Sequence, residues 1–169
     1  GGIFRKGQKV MALPSGFTTT IKSVELYGQE VKEASPQMSV TITLEDEIDI
    51  SRGDMIVREN NQPKISQDIE CFVAWMDDKN LLKVKGKYAI KHTSKDVRCV
   101  ITEVSYKMDV NNLSRITENV QINLNDIGRI KLRTTKPLFY DSYRKNRLTG
   151  SFILIDEATN ITVGACMII

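Results

Sequence analysis

Ten runs of alternating, β-branched residues and almost no helical periodicity constrain this chain more than any other feature. Val40, Ile42 and Leu44 alternate with Thr41 and Thr43, the period-two pattern of a half-buried strand. Comparable runs cover 10–13, 18–26, 39–44, 54–58, 69–76, 87–92, 97–108, 119–132, 152–155 and 161–168. Spacers rich in Gly, Asn, Asp and Pro separate most of them. Many short strands with turn signals between them predict barrels or sandwiches, an all-β fold.

The 169 residues suffice for one large or two small domains. The segment Glu59-Asn60-Asn61-Gln62-Pro63-Lys64 is polar, carries a proline and lacks alternation. It marks an interdomain linker, placed at 61–66, between a first domain over 1–60 and a second over 67–169. About 60 residues are thin for a closed barrel. The opening word Gly2-Ile3-Phe4-Arg5-Lys6-Gly7 looks like the turn after a first strand. The first barrel is therefore expected to be truncated at its N-terminal strand.

A net charge of +3 argues for neither nucleic acid nor membrane. No apolar run approaches the roughly 18 residues of a membrane helix, and no signal peptide is visible. Cys71, Cys99 and Cys166 form no C-x-x-C pair and sit in apolar words, so buried free thiols in a reducing cytoplasm are expected. Trp75 and Met76 end a strand with apolar bulk suited to core or interface packing.

No catalytic constellation appears. His92 is the sole histidine, and Ser94 and Asp96 lie too close along one strand end for triad geometry; a structural, hydrogen-bonded role is expected. Glu45, Asp46, Glu47 and Asp49 crowd a connection without an internal glycine or calcium-loop spacing, so no metal site is expected. Arg52-Gly53-Asp54 supplies a turn after them. The phosphate-cradling word G-x-x-x-x-G-K-[ST] is absent, as is N-K-x-D. Gly86-Lys87 is the nearest Gly-Lys pair and lacks both the upstream glycine and the hydroxyl residue. Arg129, Lys131 and Arg133 alternate with Ile130 and Leu132, which puts three cations on one strand face. Lys136, Arg144, Lys145 and Arg147 follow. This basic segment is a charged outer face, a docking surface for an acidic partner, or a nucleic-acid contact.

The word Leu44-Glu45-Asp46-Glu47-Ile48-Asp49-Ile50-Ser51-Arg52-Gly53-Asp54-Met55 closely resembles a hallmark of the second domain of the translation-factor-like GTPase subunit of sulfate adenylyltransferase. Asn125-Asp126-Ile127-Gly128, Pro137-Leu138-Phe139-Tyr140-Asp141, Asn146-Arg147-Leu148-Thr149-Gly150 and Thr162-Val163-Gly164-Ala165 resemble words of the third domain, in that order. Cys166 stands where the family usually has glycine, and Asn111-Asn112-Leu113-Ser114-Arg115 is an atypical turn. The resemblance implies two antiparallel barrels of the elongation-factor-Tu domain II and III type. It also implies an upstream G domain carrying GTP and magnesium, and a small catalytic subunit that makes adenosine 5'-phosphosulfate from ATP and sulfate. These barrels would then be cytoplasmic and without catalytic or cofactor-binding residues of their own. Contacts to the small subunit or the G domain are expected at Glu45, Asp46, Glu47, Asp49, Arg52, Arg129, Lys131, Arg133, Arg144 and Arg147. The alternative is a barrel module that binds tRNA or other nucleic acid. Whether an adenosine phosphosulfate kinase follows downstream is left open.

Overall fold

The structure, a computed structural model, describes residues 2–169 and is built from fourteen strands, with no helix among the described residues. It divides into two compact units, Gly1–Gln62 and Pro63–Ile169.

The first unit contains β1 (Phe4–Arg5), β2 (Lys9–Leu13), β3 (Thr18–Leu26), β4 (Gln29–Glu30), β5 (Glu33–Ala34), β6 (Thr41–Leu44) and β7 (Met55–Val57). Its main sheet runs β4-β3-β2-β7, with β6 also on β3, and β1 pairs separately with β5. All pairs are antiparallel. Alternation places Val10, Ile21 and Val24 inward, where they meet Ala34 and the flanks of Phe4, Ile42, Leu44 and Ile56. Among the described residues its pairings do not close a ring.

The second unit contains β8 (Lys64–Trp75), β9 (Lys87–His92), β10 (Lys95–Met108), β11 (Arg115–Ile116), β12 (Ile127–Tyr140), β13 (Ser151–Ile155) and β14 (Thr162–Ile168). The order β10-β12-β8-β14-β13-β9 returns through β9 to β10, so six antiparallel strands close a barrel and β11 extends it along β10. Closure removes the exposed sheet edge. Inward residues from every barrel strand fill it, among them Ile69, Val73, Ile90, Ile101, Ile130, Leu132, Leu154 and Cys166.

Three expectations are corrected. Lys64–Ser66, read as the end of a linker, begin β8, because Lys64, Ile65 and Ser66 pair with Tyr140, Phe139 and Leu138. Residues 119–126 are not strand. Asn119 and Asn125 take left-handed backbone angles of 48° and 66°, which asparagine tolerates and a strand does not. Strand β12 instead runs on to Tyr140, with Pro137 inside the register shift between Arg133 and Leu138, where a missing N–H breaks no ladder bond.

Candidate functional site

The 45–54 connection is tied down at both ends. The Glu45 N–H donates to the Thr20 carbonyl at 2.9 Å. The buried Thr19 hydroxyl donates to Asp46 Oδ2 at 2.8 Å, and the Asp46 N–H returns a bond to that hydroxyl at 3.3 Å. At the far end Asp54 closes a turn by accepting the Ser51 N–H at 2.9 Å, while Gly53 takes φ 97°, a region that favours glycine. Asp46 is thus a structural clamp. Glu47, Asp49 and Arg52 are exposed and form no ion pair among the described residues. No group of His, Cys, Asp or Glu among the described residues is arranged to hold a metal.

The three cations of β12 do share one face, and each is matched by an acid on a neighbouring strand. Arg129 Nε meets Glu70 at 2.9 Å, Lys131 Nζ meets Glu103 at 2.9 Å, and Arg133 Nη1 meets both oxygens of Asp68 at 2.9 Å. The bond to Glu70, and after it that to Tyr106, raises the Arg129 pKa, and Glu103 raises that of Lys131. What the sequence shows as a basic stripe is a cross-strand ion ladder. Beside it, an open groove of about 550 Å³ is lined by Lys87, Arg98, Arg133 and Glu157, with Arg98 bound to Glu157.

In the 141–150 turn, Lys145 pairs with Asp141 at 2.7 Å, and Arg147 lies 5.9 Å from the Tyr143 ring centroid. Arg144 is exposed and without an ion pair among the described residues. The turn is clamped by bonds from Tyr143 N to Ile168 O, Gly150 N to Asn146 O and Ile168 N to Gly150 O, each 2.8 Å.

Groups capable of chemistry are committed to the core. His92 is buried and its Nε2 lies 2.8 Å from the Thr149 carbonyl; burial pushes its pKa down. All three cysteines are free and buried. Burial pushes the Cys99 thiol up to about 12, and burial followed by the neighbouring Cys71 pushes up Cys166. Trp75 is buried, donates from Nε1 to the Asn80 carbonyl at 2.7 Å and stacks edge-on with Tyr88. Met76, expected to pack with it, is instead 54% exposed, because β8 ends at Trp75 and the chain turns outward.

Met76 belongs to a surface that the sequence reading missed. The segments after β8, before β12 and before β14 converge at one barrel end and expose Met76, Leu81, Leu124 and Ile161. The available signal was apolar residues stranded among Asp- and Asn-rich spacers.

Two all-β units in tandem, the second a closed six-stranded barrel, make up the described residues. The chain belongs to the GTP-eEF1A C-terminal domain-like family, whose model matches residues 68–169. It is 46% identical over 168 residues to the bifunctional enzyme CysN/CysC of Mycobacterium tuberculosis, covering 99% of this chain and 27% of that protein. It is 44% identical over 176 residues to sulfate adenylyltransferase subunit 1 of Bacteroides thetaiotaomicron, covering 99% of this chain and 36% of the relative. The chain therefore spans about a third of the length of these curated relatives. The fold is shared with sup35 complexed with GMPPNP, at a TM-score of 0.87 and 13% identity over 99% of this chain and 41% of that one. It is also shared with the elongation factor SelB of Methanococcus maripaludis, at a TM-score of 0.76 and 18% identity over 99% and 37%.

Proposed function

We propose that this chain is the non-catalytic barrel region of a sulfate adenylyltransferase large subunit. It holds the G domain and the small catalytic subunit so that GTP hydrolysis is coupled to adenosine 5'-phosphosulfate synthesis in the cytoplasm. The observation that carries this reading is similarity over 99% of this chain to a bifunctional enzyme CysN/CysC at 46% identity and to a sulfate adenylyltransferase subunit 1 at 44%. On this reading GTP and magnesium would be held by a G domain rather than by these residues, which contain neither a phosphate-loop word nor a guanine-reading N-K-x-D word. No step of the chemistry is assigned to this chain. Its contribution is a rigid platform whose coupling works by differential contact in two nucleotide states. A closed barrel and laterally bonded strands suit that role. The nucleic-acid alternative draws on the β12 cations, but Glu70, Glu103 and Asp68 already neutralise them. No helix is long and apolar enough to cross a membrane among the described residues.

The test is a chimaera in which this chain replaces the matching segment of the B. thetaiotaomicron subunit 1. The expected result is retained GTP-dependent adenosine 5'-phosphosulfate formation with the small subunit, and none from the isolated chain supplied with ATP and sulfate. A folded chimaera that hydrolyses GTP yet shows no GTP-dependent synthesis overturns the coupling role.

A further inference from the structure

The barrel end noted above has the features of a prepared contact surface. Backbone bonds knit its three segments: Met76 N to Val163 O at 2.8 Å, Asn125 N to Trp75 O at 2.9 Å, Trp75 N to Asp126 O at 3.0 Å and Leu82 N to Ile122 O at 3.1 Å. Within two residues of those bonds stand Met76, Leu81, Leu124 and Ile161, between 37% and 58% exposed. Exposed apolar residues carried on segments bonded to one another are candidates for an interaction site in a way that singly scattered ones are not.

The surface is also rigid. The Trp75 indole holds Asn80, and Asp77 accepts the Lys79 N–H at 2.8 Å and the Asn80 N–H at 3.3 Å. Asp126 takes the Asn123 N–H at 2.7 Å, and Asp156 takes the Thr159 N–H at 2.8 Å. Loops ordered in advance lose little entropy when a partner docks. The same bonds fix the charge. The Lys79 amide holds Asp77, and the Thr159 hydroxyl holds Asp156, below the usual carboxylate range, so both stay ionised. Exposed Asp78 belongs to the first of these segments. Lys79 and Lys83 lie further along the first loop. The acids stand next to the apolar residues in the chain: Asp77 follows Met76, and Asp156 opens the turn to Ile161.

From this we infer that the barrel end formed by residues 76–82, 122–126 and 156–163 is the seat of the small catalytic subunit, which meets it with an apolar segment flanked by Lys or Arg. The inference rests on the function proposed above and adds the location. It is favoured over the β12 face because the cations there are already paired, while at the barrel end Asp126 and Glu157 are matched by Lys107 and Arg98 but Asp77, Asp78 and Asp156 form no ion pair among the described residues and keep their charge.

The experiment uses the intact large subunit carrying this chain and its cognate small subunit. Met76→Lys, Ile161→Lys and Asp78→Lys each place a cation where the partner's cations are expected. Phe17→Lys, at an exposed residue of the first unit, is the control. Sedimentation should show the three barrel-end variants binding the small subunit about tenfold or more weakly, with unchanged melting and GTP hydrolysis. Wild-type-like binding by all three overturns this location. Loss of self-association with subunit binding intact assigns the surface to a second copy and also overturns it. Failure of the unaltered large subunit to bind the small one overturns the functional reading instead.

Discussion

Gly150→Ala is the sharpest test of how the second barrel is closed. The Gly150 backbone has no left-handed angle, so alanine meets no torsional penalty there. The obstacle is space. A Cβ at Gly150 would lie 2.5 Å from both Tyr143 N and Tyr143 Cα and 2.7 Å from the Asn146 carbonyl oxygen, all backbone atoms. Restoring ordinary contact requires the 143–146 turn to retreat by about 1 Å. That turn is held by the 2.8 Å bonds from Tyr143 N to Ile168 O and from Gly150 N to Asn146 O, and the retreat sacrifices one or both. Two weakened backbone bonds at about 1 kcal/mol each, plus overpacking of about 1 kcal/mol or more, give a loss of about 2–4 kcal/mol. Trp75 is the single tryptophan and lies in this unit, so its fluorescence reports the unit's unfolding in urea. With a slope of about 1–2 kcal/mol/M, the midpoint should fall by about 1–4 M. Gly16→Ala, in the first unit and facing open space, should leave that transition in place. A Gly150→Ala midpoint within about 0.3 M of wild type would falsify the claim that this turn is sterically locked.

Other outcomes follow from the same geometry. His92 has a folded pKa below its ordinary 6.5, so its contribution to stability is complete above that value and is lost as pH falls through the lowered folded value. Urea midpoints should therefore drop between about pH 7 and 5, and the single histidine's NMR titration should lie below 6.5; a titration above that value refutes the burial argument. The three thiols should resist a disulfide reagent in the native state and react together on unfolding; rapid reaction of any one in folded protein contradicts their packing. The triple variant Asp68→Asn, Glu70→Gln, Glu103→Gln should gain salt-sensitive RNA binding that the unaltered chain lacks. Equal RNA binding before and after the change would sink the neutralisation argument.

Much of this fold is written in residue alternation. Strands β9 and β14 bury alternate residues, Tyr88, Ile90 and His92 in one and Gly164, Cys166 and Ile168 in the other, a local pattern. What alternation misreads is backbone conformation. Ile122 and Leu124 alternate like strand residues, yet the left-handed Asn119 and Asn125 break the run into a loop. Strands of two residues, such as β4 and β11, are too short to carry a pattern. The site divides in the same way. The spacing of Arg129, Lys131 and Arg133 gives a shared face, but their acids lie on β8 and β10 and emerge only with the strand register. Asp46 looks like one of four interchangeable acids until folding brings Thr19, 27 residues earlier, against it.

The ion ladder on β12 has a kinetic consequence. Opposite charges about 3 Å apart form small dipoles whose field dies away within a Debye length of about 10 Å. A face of that kind exerts no long-range pull. Molecules arriving there meet it by undirected diffusion, and their encounter rate should barely change between dilute and concentrated salt.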